Sequence, residues 1–338
     1  MKNTVYFIGA GFSRFAGLPL MNDFYFKSKD LFPKLKNESI KKAFLSVFSY
    51  FDDYSKVKNI MNADFYNIEE LLSIIEMDSF LKNKRAIYKN YLIYLEEVIK
   101  HYTPKFEDED DEVFDIYSQF LEYVFNISRT SRDNRYKIFN ENGSSIISLN
   151  YDLILELTLE EMNLYNRSKG YGLNNFSFNY GISNNYLEEN YRSINSEFTL
   201  NYAKIHGSIN FQLNRSPIII PPTWNKTSSK EMKGVWQFAH QLLAQTENIV
   251  FIGYSLPTTD LYVKYLLING IKDSFNLKQV KVICPDFDGS IEKRYKTFFD
   301  ANFRDKAFSF ENIKFEDWIR KTNKKENRNR VTVRSFSY

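Results

Sequence analysis

The chain has a single cysteine, Cys284, only three histidines and no long apolar run. Each scarcity closes off a class of protein. One cysteine forbids an intrachain disulfide and any zinc site built on two or four cysteines. It also points to a reducing cytosol as the compartment. No stretch approaches about 18 uncharged apolar residues, so no membrane span is expected. Met1-Lys2-Asn3-Thr4 runs straight into a strand-like segment, so a cleaved secretory leader is not expected. An excess of charge of one sign is also missing. Lys and Arg number 45 against 42 Asp and Glu, a net +3, which argues against a chain-wide polyanion binder.

What is present suffices for a large core. Hydrophobic residues make up 43% and aromatic residues 17% of 338. That length suits two domain-sized units or one large α/β domain. Short apolar runs read as buried strands at Thr4 to Ile8, Ser144 to Leu149, Tyr202 to Ile205, Ile218 to Ile220, Ile249 to Ile252 and Val280 to Cys284. Helical patterns follow several of them: one opening at Ser13, then "LILELTLEEMNLY", Glu231 to Thr246, and about Thr259 to Asn269. Alternation of this kind predicts an α/β fold, a Rossmann-like parallel sheet with helices on both faces.

Between about Asn37 and Ile127 the pattern is helical throughout, in "IKKAFLSVFSYF", "NIEELLSIIEMDSFL", "RAIYKNYLIYLEEVIKHY" and "VFDIYSQFLEYVFNI". Asn67 reads as a helix cap. The acidic run Glu107 to Glu112 reads as a solvated lead-in to a helix rather than a metal cluster, because adjacent carboxylates repel and point different ways. Residues 37–143 are therefore expected to be a helical insertion. Arg167 to Glu197, rich in Gly, Asn, Ser and Tyr, reads as loop or short hairpins. From Lys321 the chain becomes basic, and its final "VTVRSFSY" alternates like a strand. The tail 321–338 is expected to be a flexible or partner-docked terminus, with nucleic acid as the other reading.

Ligands of open α/β sheets bind beyond the carboxyl ends of the strands. Four such ends carry unusual residues: Gly9-Ala10-Gly11, Asn150-Tyr151-Asp152, His206-Gly207-Ser208 and Gly253-Tyr254-Ser255. Gly9 and Gly11 let a backbone approach a phosphate closely. The third glycine of the dinucleotide fingerprint falls at Arg14, which disfavours a conventional dehydrogenase. Asn150 and Asp152 read either as turn and cap residues or as site residues. His206 stands at a strand end without helical continuation, unlike His101 and His240, which fall in helical patterns and read as structural.

In order, "GAGFSRFAGLPL", "SLNYD", "KIHGS", "FIGYSLPTTD" and "VKVICPD" resemble the sirtuin-like NAD-binding family, and most of all its bacterial antiphage-defence branch. The resemblance spans Tyr6 to about Asp286 apart from the helical stretch. It implies an NAD-binding domain over 1–36 and 144–320. It also implies that Gly9, Ala10, Gly11 and Ser13 form a phosphate-binding turn. Asn150 would orient ribose and water. His206 would contact the ribose hydroxyls and act as general base. Asp152 would lie near the nicotinamide amide, and Gly253 and Ser255 would form the second phosphate-side motif. Asp260 resembles a carboxylate of the defence branch and reads as a helix cap. The departures are specific. The four-cysteine zinc module of deacylases is absent, and with it the support for a peptide cleft. The family's Gly-x-Pro-Asp-Phe-Arg turn becomes Gly17 to Phe24, with Phe24 left to cover nicotinamide in a shifted register. Cys284 replaces an asparagine near the adenosine ribose.

The resemblance implies hydrolysis of NAD+ to nicotinamide and ADP-ribose, with NAD as substrate, no metal, and depletion of NAD in infected cells. An ADP-ribosyltransferase or deacylase needs a substrate groove with no signature here. A sensor of NAD or ADP-ribose controlling a partner ATPase or nuclease needs the phosphate turns but not Asn150 and His206. The expected partners are further copies of the chain and a HerA-like ATPase, with the helical insertion and basic tail as docking surfaces.

Overall fold

A computed structural model describes residues 3–56, 68–82, 85–106, 111–129, 136–138, 143–168, 176–192, 198–214, 216–220, 230–258, 260–274 and 276–323. The cap reading of Asn67, residues 107–110 of the acidic run and the tail from 324 lie outside them.

The chain begins with β1 (Thr4–Ile8) and a single helical turn, α1 (Ala10–Ser13). Helices α2 (Phe24–Leu31), α3 (Glu38–Ser55), α4 (Ile68–Lys82), α5 (Arg85–Tyr102) and α6 (Glu112–Phe125) follow. A small ribbon of β2 (Ile127–Arg129) and β3 (Tyr136–Ile138) leads to β4 (Ser145–Ser148), α7 (Ile154–Ser168), β5 (Phe176–Asn179) and β6 (Phe198–Lys204). An antiparallel hairpin of β7 (Gly207–Leu213) and β8 (Ser216–Ile219) precedes α8 (Lys233–Ala244), β9 (Asn248–Ile252), α9 (Leu261–Asp273) and β10 (Gln279–Ile283). Last come α10 (Ser290–Phe298), α11 (Ala301–Ala307), β11 (Phe308–Glu311) and a helix over 315–323.

Seven strands form one parallel sheet in the order β11-β10-β9-β1-β4-β6-β5. From β1 the chain passes to β4, then to the edge strand β5 and back inward to β6, before it crosses to β9 on the other side of β1. That reversal opens a crevice at the carboxyl ends of β1 and its neighbours. Successive side chains of β1 serve opposite faces. Tyr6 meets Phe120 and Tyr123 of α6, at ring distances of 6.0 and 6.2 Å. Phe7 meets Phe251, which in turn meets Tyr295 of α10. Every residue of β1 and β4 is buried, as a sheet covered on both faces demands.

Three expectations change. The helix expected from Ser13 is the short turn α1, and the chain then loops to α2. The 167–197 stretch contributes an edge strand, β5, pairing in parallel with β6. The 218–220 segment belongs to the β7–β8 hairpin rather than the main sheet. The helical stretch shares the sheet's core, because α6 lies directly on β1 and Tyr117 donates its hydroxyl to the Phe12 carbonyl at 2.7 Å. Asp111 caps α6 by accepting from the Val113 amide at 2.7 Å.

Candidate functional site at the carboxyl edge of the sheet

The register sets the strand ends level. Ile8 pairs with Ser148 on one side and Ile252 on the other. Ser148 pairs with Lys204, and Ile252 with Ile283. Gly9, Leu149, Ile205, Gly253 and Cys284 therefore each stand one residue beyond a common line. The ladder continues past it, with the Leu149 amide on the Ile8 carbonyl and the Ile205 amide on the Ser148 carbonyl, both at 3.0 Å. Asn150 and His206 each lie two residues beyond the Ser148–Lys204 pair, on strands spaced by about 4.8 Å. The expectation that the four motifs share one edge is met.

The two glycine turns pack on each other. The Gly9 amide donates to the Ile252 carbonyl at 3.0 Å and the Gly11 amide to the Gly253 carbonyl at 2.9 Å. A Cβ on Gly9 or Gly11 would come within 2.9 Å of the Gly253–Tyr254 backbone. At Gly253, with φ +61°, a Cβ would lie 2.3 Å from the Phe12 amide nitrogen. The absent side chains thus serve the contact between the turns first, and two of the amides expected for a phosphate are already bonded. The second turn is anchored from behind. The Tyr254 hydroxyl donates to Asp260 at 3.0 Å, and the Tyr295 hydroxyl donates to the Tyr254 carbonyl at 3.0 Å. Arg294 Nε donates to the Ser255 carbonyl at 2.9 Å. Asp260 precedes α9 without capping it through its side chain.

Asn150, Ser13 and Asp152 form one buried chain of hydrogen bonds. Asn150 Nδ2 donates to the Gly9 carbonyl at 3.0 Å and to Ser13 Oγ at 2.8 Å. Ser13 Oγ donates to Asp152 Oδ2 at 2.7 Å. Asp152 Oδ1 accepts from the Ile154 amide at 3.2 Å, at the entry to α7. Both Asn150 bonds to the first turn use Nδ2, which leaves Oδ1 as its remaining acceptor. Ser13 is 2% exposed and bonded on both sides, so its hydroxyl serves Asn150 and Asp152. His206 is also buried. Its carbonyl accepts from the Ile220 amide at 2.8 Å, and its ring lies 6.4 Å from that of Tyr151.

Two further residues expected at the site, Phe24 and Cys284, make contacts outside this chain of hydrogen bonds. Phe24 packs in the core at α2, its ring 5.8 Å from that of Tyr94 on α5. Cys284 is buried, its sulfur 3.7 Å from the Pro285 carbonyl. Burial, with Asp286 nearby, pushes the thiol up to about 11. His101 lies on α5, and His240 on α8 pairs with Asp273 at 3.2 Å. A cavity of about 900 Å3 runs along Ala16, Gly17, Leu31, Lys34 and His101 and includes none of Asn150, Asp152 or His206. Among the described residues no group of three His, Cys, Asp or Glu could hold a metal.

A buried ion pair escaped the sequence reading. Lys204 Nζ lies 2.9 Å from Glu156 Oε1, with both side chains sealed from solvent. Burial raises the Glu156 carboxyl's affinity for its proton, and Lys204 opposes that. Burial and the Glu156 charge together hold the phenols of Tyr180 and Tyr202 well above their ordinary value. The only signal in the sequence is a lysine inside an otherwise apolar strand run.

Residues 144–304 match the model of the family described as SIR2-like domain. No curated protein matches. Among solved structures, Sir2Tm bound to a propionylated peptide is 10% identical, with 96% of this chain and 93% of that one covered at a TM-score of 0.37. A Sir2 complex with p53 peptide and NAD+ gives 10%, 96%, 93% and 0.34.

Proposed function

We propose that the protein is an NAD+ glycohydrolase that cleaves the nicotinamide–ribose bond to give nicotinamide and ADP-ribose. The observation that carries this reading is the placement of Asn150 and His206 at adjacent strand ends, level with both glycine turns. The SIR2-like match over 144–304 supports NAD as the molecule used.

The chemistry asks little of a general acid. Nicotinamide leaves with the electron pair of the broken C–N bond, and its ring nitrogen loses its positive charge in doing so. The ribose carbon passes through an oxocarbenium-like state, and water forms the new C–O bond. His206 accepts the proton that water gives up. Asn150, fixed through Nδ2, offers Oδ1 to a ribose hydroxyl or the incoming water. Gly9 to Ser13 and Gly253 to Ser255 line the phosphate side. An NAD-depleting role in antiphage defence, in assemblies of several copies with a HerA-like ATPase, is part of the same reading.

Asn150→Ala and His206→Ala should each lower turnover on the order of 10²-fold or more, as positioned acid–base groups do. The check is NAD+ consumption by purified wild type and both variants, with chromatography of the products. Wild-type turnover that survives both substitutions would overturn the assignment.

A further inference from the structure

A buried lysine must have its charge answered inside the protein. Lys204 is 0% exposed and meets that need twice, through Glu156 Oε1 at 2.9 Å and through a bond from Nζ to the main-chain carbonyl of Asp152. The Tyr202 ring lies 5.6 Å from the same Nζ. These contacts join two different segments. Lys204 ends β6, two residues before His206. Asp152 and Glu156 lie two and six residues beyond Asn150, where β4 passes into α7. Asp152 in turn holds Ser13, which holds Asn150.

A buried ion pair is a poor device for stability alone, since an apolar pair of similar volume often serves as well or better. The feature an apolar pair cannot reproduce is the directed bond to the Asp152 carbonyl. We propose that Lys204 is a positioning residue: its bond to the Asp152 carbonyl, with its charge balanced by Glu156, fixes the spacing between Asn150 and His206. The inference rests on the NAD+ hydrolysis reading for its kinetic consequence, though not for its structural one.

The test compares the full chain with the double substitution Lys204→Met/Glu156→Leu, which leaves no unpaired charge behind. Lys204→Met alone strands Glu156 and serves as the destabilised control. The double variant should keep the wild-type unfolding midpoint and a KM within about threefold. Its kcat should fall about 10²-fold, as small misplacements of reacting groups do. Amide hydrogen exchange over 149–153 and 205–209 should quicken at least about tenfold, with the rest of the chain unchanged. A double variant with wild-type kcat and unchanged exchange would overturn the proposal. So would one whose folding fails or whose kcat and KM deteriorate together, because the pair would then be only structural. A wild-type chain that turns over no NAD+ would refute the hydrolase instead, and the exchange measurement would then decide the brace alone.

Discussion

Ser13 shows how one hydroxyl can separate two roles. Its motif resembles a phosphate-binding turn, yet its Oγ receives Asn150 Nδ2 and donates to Asp152, both within 2.8 Å. Ser13→Ala would leave Asp152 Oδ2 without its donor and remove one of the two anchors of the Asn150 amide. Orphaned buried groups of this kind cost about 1–3 kcal/mol, which thermal unfolding would register. The kinetics distinguish the roles. If Ser13 holds Asn150 in place, kcat falls about tenfold or more while KM changes little. A raised KM with kcat intact would instead mean that the hydroxyl binds phosphate and that the hydrogen-bond chain is incidental.

Among elements, the contact between the two glycine turns separates backbone strain from steric overlap. Gly253 and Gly17 both have positive φ, +61° and +90°. A Cβ at Gly253 would lie 2.3 Å from the Phe12 nitrogen, whereas at Gly17 it would meet nothing within 4 Å. Gly17→Ala should therefore cost only the left-handed strain, about 1–2 kcal/mol. Gly253→Ala should add overlap with a backbone that cannot move aside, for a total above about 3 kcal/mol, and loss of NAD turnover with it. Chemical denaturation of both variants checks the ordering, and equal losses would mean that the turns are not tightly packed. This level of structure was only partly legible beforehand. The strands β1, β4, β9 and β10 announce themselves as apolar runs closed by Gly, Asn or Pro, so the edge carrying the candidate site is legible directly. Strands β5 and β11, "FSFN" and "FSFE", are short edge strands whose pairing depends on neighbours that the local pattern does not name. Lys204 and Glu156 were hidden for a related reason: 48 residues separate them, and each alone looks like an ordinary polar position.

For the whole molecule, the question is whether the helical stretch is a separate module. Phe120 of α6 packs on Tyr6 of the central strand, on Phe12 of the first glycine turn at 4.9 Å, and on Phe315 at 5.5 Å. Arg320, in the helix over 315–323, reaches back to Glu112 at the start of α6. The core is continuous through these contacts, so the fold around the site depends on α6. Phe120→Ala removes a fully buried ring, and deletions of that kind cost about 3–5 kcal/mol. Thermal unfolding followed by far-ultraviolet circular dichroism should shift to lower temperature in step with thermal loss of NAD turnover, because the ring supports sheet, turn and helix at once. Two transitions that separate in Phe120→Ala, with the turnover midpoint left in place, would show instead that the helices unfold as a module of their own and that the edge site stands without them.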